Sequence, residues 1–152
     1  MRSVIVCKTI HHNNTLRIAQ AMADELGADI FTPEQVDDKT LQRYDLIGFG
    51  SGIYGGKHHR SLLNIIEDLD SLSGKHVFTF YTSGFRKFPI LPSFGAALTS
   101  QLKKKGAIIK DSFSCRGWDT WGPFRFNCGK NKNHPDEGDL AKARAFAKVL
   151  IQ

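Results

Sequence analysis

The stretch from residue 4 to residue 15 constrains the fold more than any other part of the chain. It opens with three consecutive β-branched residues, Val4, Ile5 and Val6, as expected for a strand that is covered on both faces. Polar residues follow at once, and a helical pattern begins at Leu16. This order predicts an anion site after the strand, because the first N–H groups of a helix lack partners and lie at the positive end of its dipole.

The rest of the chain repeats this alternation of strands and helices. Strand patterns cover residues 4–6, 28–31, 45–49, 75–81 and 107–113, and helical patterns cover residues 15–26, 59–70, 93–106 and 136–151. Residues 32–41 predict only short helical turns that begin with a capping box. We therefore predict one doubly wound α/β domain over residues 1–152, with a mostly parallel five-stranded sheet and helices on both faces.

Composition excludes several other classes of protein. With 152 residues, of which 41% are apolar, the chain is long enough for one core. No apolar run approaches the ~20 residues that cross a bilayer, so we expect a cytoplasmic protein without a membrane span. The cysteines, Cys7, Cys115 and Cys128, lack metal-ligand spacing, and their odd number argues against a disulfide framework. We expect Cys7 to be buried and inert.

The net charge of +6 raises the question of nucleic acid. The basic residues are dispersed, and their only run, Lys103 to Lys105, lies where cations stabilise the end of a helix before Gly106. We therefore expect no nucleic-acid partner. The pair His58 and His59 is typical of a helix start and lacks the cysteine or acidic partners of a zinc site. Since no catalytic triad or paired carboxylates stand out, no catalytic side chain or metal site is predicted, and any chemistry would belong to a cofactor.

Three loops rich in small and hydrogen-bonding residues follow the first, third and fourth predicted strands. The carboxyl ends of parallel strands meet at one edge of a sheet, so these loops are expected to form one ligand site. The candidate residues are Thr9, His11, His12, Asn13, Asn14 and Thr15 in the first loop, Ser51, Gly52, Ile53, Tyr54, Gly55 and Gly56 in the second, and Thr82, Ser83, Gly84 and Phe85 in the third.

With these loops in place the chain resembles a flavodoxin over nearly its whole length. The loop from Thr9 to Thr15 is similar to the family's phosphate loop in its first hydroxyl and its final Asn-Thr, although it is one residue longer and carries two histidines where small residues are usual. The Tyr54-Gly55 pair matches the aromatic-glycine pair that follows the third strand. The resemblance implies the strand order 2-1-3-4-5 and a bound FMN.

The resemblance also implies roles for the loops. The first loop would bind the FMN phosphate, and Tyr54 would stack on the isoalloxazine ring. Gly55 would let a peptide reorient beside flavin N5, which a residue without Cβ does most easily. Main-chain groups of residues 82–84 would hold the pyrimidine side of the ring, with Phe85 nearby.

The implied function is electron transfer through non-covalently bound FMN. Two alternatives stay open: an FMN-dependent oxidoreductase of the quinone or protoporphyrinogen dehydrogenase type, and a flavin-free binding module. A basic rim around the site favours an acidic redox partner protein or a small-molecule electron acceptor, and predicts a less negative reduction potential than an acidic flavodoxin has. The rim consists of Lys57, His58, His59, Arg60, Arg86 and Lys87.

The segment from residue 114 to residue 135 is rich in aromatic residues and has no period. Its large rings are too many for a bare surface loop, so we expect it to pack near the ligand edge of the sheet and partly to flank the site. These rings belong to Trp118, Trp121, Phe124 and Phe126.

Overall fold

The computed structural model describes residues 1–10, 12–84, 94–119 and 131–152. In chain order the elements are β1 (Ser3–Lys8), α1 (Asn14–Leu26), β2 (Asp29–Phe31), a 3₁₀ turn (Pro33–Gln35), α2 (Asp38–Leu41), β3 (Leu46–Tyr54), β4 (Lys57–His58), α3 (Arg60–Asp68), β5 (His76–Ser83), α4 (Ala96–Lys104), β6 (Ile108–Arg116) and α5 (Glu137–Leu150).

The main sheet is parallel and has the order β2-β1-β3-β5-β6. The strands expected fourth and fifth are β5 and β6, so the predicted order 2-1-3-4-5 is confirmed. One element was not expected: the two-residue strand β4 pairs antiparallel with the end of β3. It turns the loop expected after the third strand into a short hairpin.

Helices cover both faces of the sheet, and each face has its own core. Successive residues of β1 enter opposite cores, which explains why its apolar run shows no alternation. On the α3 and α4 face the core includes Val4, Val6, Ile47, Phe49, Leu62, Ile66, Leu98 and Leu102. On the α1 and α5 face it includes Ile5, Cys7, Ile18, Met22, Phe78, Phe80, Ala143 and Ala147.

Strands β3, β5 and β6 extend beyond their predicted ends. The expectation that Gly50 opens a loop is wrong, because β3 continues to Tyr54. Gly48 and Gly50 leave room for aromatic rings of the neighbouring strand, since a Cβ on either would lie 2.3 Å from a ring carbon of Phe78 or Phe80 respectively. Residues 51–54 and 82–83 are therefore strand residues, held more firmly than a loop would hold them.

Helix ends follow the predicted chemistry. Gly27 ends α1 in the left-handed conformation with φ 57°, and its N–H donates to the carbonyl of Ala23. Lys103 and Lys104 lie in the last turn of α4, as expected. The predicted burial of Cys7 is confirmed. None of the helices in the part of the chain that the structure describes is long and apolar enough to span a membrane.

A pocket at the carboxyl edge of the sheet

A pocket of about 380 Å³ opens at the carboxyl ends of β3 and β5, beside the first turn of α1. This is the edge at which doubly wound sheets bind ligands, and the volume falls within the range of small-molecule sites. The described residues that line it are Asn14, Thr15, Gly52, Ile53, Tyr54, Gly55, Gly56, Thr82, Ser83, Gly84, Phe94, Gly117, Trp118 and Asp119.

All three candidate loops contribute to this pocket. From the first come Asn14 and Thr15, from the second residues 52–56, and from the third residues 82–84. Thr9, His12 and Asn13 belong to the first loop but are not among the described lining residues. Ser51 is buried at 0% exposure and also stays out of the lining. His11 and Phe85 lie outside the described residues.

The first loop enters α1 through two residues with positive φ, His12 and Asn13, both at 53°. Asn13 stands at the N-cap of α1 but makes no side-chain capping bond, so its amide leaves the first helical N–H groups to other partners. Thr15 is buried, and its Oγ1 lies 2.8 Å from Oγ1 of Thr82. This hydroxyl pair joins the helix start directly to the end of β5.

The second wall is the hairpin made by the end of β3 and β4. Gly55 and Gly56 form its turn with φ of 57° and 80°, a conformation that L side chains rarely adopt. The Tyr54 side chain lies over Gly52, where a Cβ would stand 2.7 Å from the tyrosine hydroxyl. Burial raises the pKa of the Tyr54 phenol, and a hydrogen bond with the Ile10 main chain acts in the opposite direction. The tyrosine ring therefore spans the gap between the ends of β3 and β1.

A further wall comes from the segment that follows β6. Asn14 donates from Nδ2 to the carbonyl of Trp118 at 2.8 Å, and the Trp118 ring stacks on His12 with centroids 3.7 Å apart. Gly117 donates its N–H to the carbonyl of Ser83 at 3.1 Å. A Cβ on Gly117 would lie 2.8 Å from Nδ2 of Asn14, so a larger residue there would displace the amide that bonds to Trp118.

Phe94, Gly117 and Asp119 are pocket residues that the sequence did not single out. Trp118 lines the pocket, so the aromatic segment reaches the carboxyl edge of the sheet at this residue. Trp121, Phe124 and Phe126 lie outside the described residues. In the sequence, only the position beside Trp118 points to Gly117 and Asp119 as pocket residues. Phe94 precedes α4 and belongs to no motif.

The charges around the pocket differ from the expected rim. Asp119 is the only charged side chain among the described lining residues. The expectation that His58 contributes positive charge to the rim is wrong, because the side chain is 3% exposed and burial lowers its pKa to about 4. Burial also lowers the pKa of His59. Lys57 and Arg60 are exposed, and Arg86 and Lys87 lie outside the described residues.

A histidine and two carboxylates meet at the start of α5. Ligand atoms of His134, Asp136 and Asp139 lie within 4.8 Å of one another. Helix capping accounts for this arrangement: Asp139 donates its N–H to Oδ1 of Asp136, and the N–H of Asp136 donates to Oδ2 of Asp139. His134 adds a contact of 2.6 Å between Nδ1 and the same Asp139 oxygen.

Neither Cys7 nor Cys115 is suited to nucleophilic chemistry. Burial raises the pKa of the Cys7 thiol to about 12. Burial, followed by the charges of Asp139 and Asp136, raises the pKa of Cys115 to about 12 as well. Both thiols are therefore protonated near neutral pH, and the thiolate is the reactive form. Cys128 lies outside the described residues.

The fold and the pocket together define a doubly wound α/β protein with a pocket at the carboxyl edge of its sheet. A family model described as a flavodoxin domain matches residues 6–108. The chain belongs to the flavodoxin family.

Similarity to known proteins extends over the whole chain. An uncharacterized protein of Methanocaldococcus jannaschii is 46% identical over 153 aligned positions, which cover 100% of this chain and 99% of that protein. Flavodoxin 2 from Bacillus cereus superposes with a TM-score of 0.75 at 20% identity, covering 99% of this chain and 98% of that one. A flavodoxin from Streptococcus pneumoniae gives a TM-score of 0.70 at 19% identity with the same coverage.

Proposed function

We propose that the protein binds FMN non-covalently in the carboxyl-edge pocket and acts as an electron-transfer protein. The observation that carries this proposal is the convergence of three chain segments on one pocket of about 380 Å³: the start of α1, the end of β3 with its hairpin turn, and the end of β5. Membership of the flavodoxin family and the similarity in shape to whole flavodoxins support it.

The residues around the pocket suit the two chemical parts of FMN. The start of α1, with Thr15 beside it and no side-chain cap from Asn13, offers N–H and hydroxyl donors to a phosphate. Tyr54, Phe94 and Trp118 offer aromatic faces to a flat ring. The main chain of residues 82–84 lies at the pocket, on the side proposed for the polar edge of that ring. When bound, FMN supplies the redox chemistry, because its isoalloxazine ring takes up and releases electrons.

Charged side chains at two distances from the pocket would influence the reduction potential of bound FMN. Asp119 lines the pocket and opposes extra negative charge on a reduced flavin, whereas Lys57 and Arg60 act from the exposed surface, where solvent weakens them. The reduction potential then depends on the balance between one close carboxylate and the more distant cations. Replacing Asp119 by Asn is expected to raise the potential.

We propose that the protein is cytoplasmic and exchanges electrons with a redox partner protein that has an acidic surface, or with a small-molecule electron acceptor. The support is the net charge of +6 together with the exposed Lys57 in β4 and the exposed Arg60 at the start of α3. Electron transfer to such a partner protein is expected to slow as ionic strength rises, and a rate that does not depend on salt would count against this partner class.

An FMN-dependent oxidoreductase of the quinone or protoporphyrinogen dehydrogenase type is the second candidate. Phe94 and Trp118 favour it, because they add aromatic surface to the pocket from outside the three loops. Steady-state oxidation or reduction of a quinone by the isolated protein would establish the enzyme. If the protein accepts electrons from a redox carrier but does not turn over a quinone repeatedly, that result would support the electron-transfer function.

The visible spectrum of the purified protein, with and without added FMN, tests the proposal most directly. Titration with FMN is expected to quench the fluorescence of Trp118, since its ring lines the pocket. The quench should largely disappear in Trp118→Phe, and Trp121→Phe serves as the matched control for the other tryptophan. A colourless protein that takes up no FMN would instead indicate a flavin-free binding module.

A further inference from the structure

A buried polar cluster lies behind the hairpin wall of the pocket, around the hydroxyl of Ser51. Its Oγ donates to the carbonyl of Gly52 at 2.7 Å and accepts from the N–H of His59 at 2.9 Å. It also lies 3.0 Å from Nδ1 of His58. Because the Gly52 carbonyl can only accept, we assign the hydroxyl proton to that bond, and the tautomer of His58 with a proton on Nδ1 then donates a hydrogen bond to Ser51. One hydroxyl thus connects β3, β4 and the start of α3.

The other ring nitrogen of His58 has no such partner. The side chain is 3% exposed and packs edge-on against Tyr81 with ring centroids 5.8 Å apart. Among the described residues, nothing forms a hydrogen bond with Nε2. Burial lowers the pKa of His58 to about 4, so the ring is neutral at pH 7 and Nε2 is a bare acceptor. An unpaired buried acceptor costs its full desolvation, which an apolar side chain of similar size would avoid. Stability alone therefore does not account for a histidine at this position.

The backbone pairing within the hairpin is short. Strand β4 makes only two residue pairs with β3, Ile53 with His58 and Tyr54 with Lys57. No described atom lies within 4 Å of a Cβ built on Gly55 or Gly56, so nothing packs against the turn from that side. A ladder of this length has little stability of its own. Residues 52–56, which line the pocket, belong to this hairpin.

We propose that His58 is a positioning residue for the pocket: through its Nδ1–H bond to Ser51 it holds the β3–β4 hairpin in the conformation that forms one wall of the ligand site. The effect on FMN rests on the proposed function. The restraint on the hairpin is a property of the flavin-free protein and is measurable there.

Hydrogen exchange of the flavin-free protein, followed by mass spectrometry over residues 51–60, is the first measurement. His58→Leu removes the donor to Ser51 and is expected to speed exchange in this segment. His58→Asn is expected to restore slow exchange, because its side-chain amide nitrogen occupies the place of Nδ1. His76→Leu, at the other end of the sheet, is the control and should leave the segment unchanged.

Affinity and stability then separate positioning from packing. His58→Leu is expected to raise the Kd for FMN about fivefold, the net value of one hydrogen bond, while the Tm stays equal or rises because the unpaired Nε2 is gone. His58→Asn should restore the Kd. Unchanged exchange and Kd in His58→Leu would overturn the proposal, and so would a Kd and a Tm that worsen together without rescue by Asn.

Two outcomes keep this proposal separate from the proposed function. If no variant binds FMN but His58→Leu speeds exchange, FMN binding fails and the restraint stands. If His58→Leu does not fold, Ser51→Ala removes the same bond from the other side, together with the bonds to Gly52 and His59, and must speed exchange in residues 52–58. Unchanged exchange in Ser51→Ala would contradict the proposal.

Discussion

The two walls of the pocket differ in how the chain holds them. At the α1 wall, Thr15 and Thr82 are 1% and 4% exposed, and their hydroxyls meet inside the structure. Thr82 also lies in a strand that pairs with β3 on one side and β6 on the other. At the hairpin wall, Gly55 and Gly56 are exposed and β4 has two residues. The end of the pocket proposed for the phosphate is thus part of the core, whereas the end proposed for the ring depends on local restraints.

The largest expected effect on stability comes from Gly50, which lies in the buried part of β3. Gly50→Ala places a Cβ 2.3 Å from the Phe80 ring, and both residues are buried in the sheet. We expect a loss of about 3 kcal/mol in the free energy of unfolding, because in a tightly packed core the Phe80 ring cannot easily move far enough to accommodate the added Cβ. Urea denaturation measures it. A loss below 1 kcal/mol would show that Phe80 moves aside and that the core is less rigid than its packing indicates.

The pH dependence of stability tests the hairpin wall, because His58 lies in β4 of that hairpin. Its pKa falls from 6.5 to about 4 on burial, so between these values the unfolded chain binds a proton that the folded protein does not. Stability therefore falls as the pH is lowered, by about 3 kcal/mol between pH 7 and pH 4 from this residue alone. In His58→Asn the decrease should be smaller by that amount, while His59 and the other titrating groups are present in both proteins. Parallel pH profiles for the two proteins would contradict the assignment.

The hydroxyl pair at the α1 wall gives the next effect. Thr15→Val leaves the buried Thr82 hydroxyl without this partner and is expected to cost about 2 kcal/mol. The double variant Thr15→Val with Thr82→Val should recover part of the loss, because it removes both buried hydroxyls. Thermal unfolding of the two single variants and the double variant measures the coupling. Strictly additive losses would show that the two hydroxyls act independently.

The smallest effect is expected at the hairpin turn. Gly55 has φ 57°, and no described atom lies within 4 Å of an added Cβ, so Gly55→Ala meets strain but no clash. We expect a stability loss of about 1 kcal/mol. Comparison with Gly50→Ala in the same denaturation assay separates backbone strain from overpacking. Equal losses at the two positions would show that the hairpin turn tolerates an added Cβ no better than the middle of the sheet does.

Much of the fold could be predicted from the sequence, because its signals are local. The strand order followed from the resemblance, and the ends of α1 and α4 followed from Gly27 and the lysines before Gly106. The errors arose where tertiary packing decides. Glycine is common in loops, yet Gly50 lies under Phe80 in the middle of the sheet. His58 was assigned to a charged rim, whereas the hairpin buries it and keeps it neutral.

The site was predictable as three loops at one edge, but its fourth contributor was only partly so. Gly117 and Asp119 belong to a segment without periodicity, and Phe94 stands before α4 without a motif. Their places depend on how distant segments meet, as in the bond from Asn14 to the carbonyl of Trp118. A single sequence does not encode such pairings in any local pattern.

The sequence separations within the pocket have a consequence for biosynthesis. The Thr15–Thr82 contact joins residues 67 positions apart, and the Asn14–Trp118 bond spans 104 positions. The first contact requires that β1 and β5 have docked, and the second requires that β6 has joined them. Closing such large loops is slow. A ribosome-bound chain therefore lacks a complete pocket until residues beyond Trp118 have emerged. Ligand capture during synthesis would accordingly report that nearly the whole domain has folded.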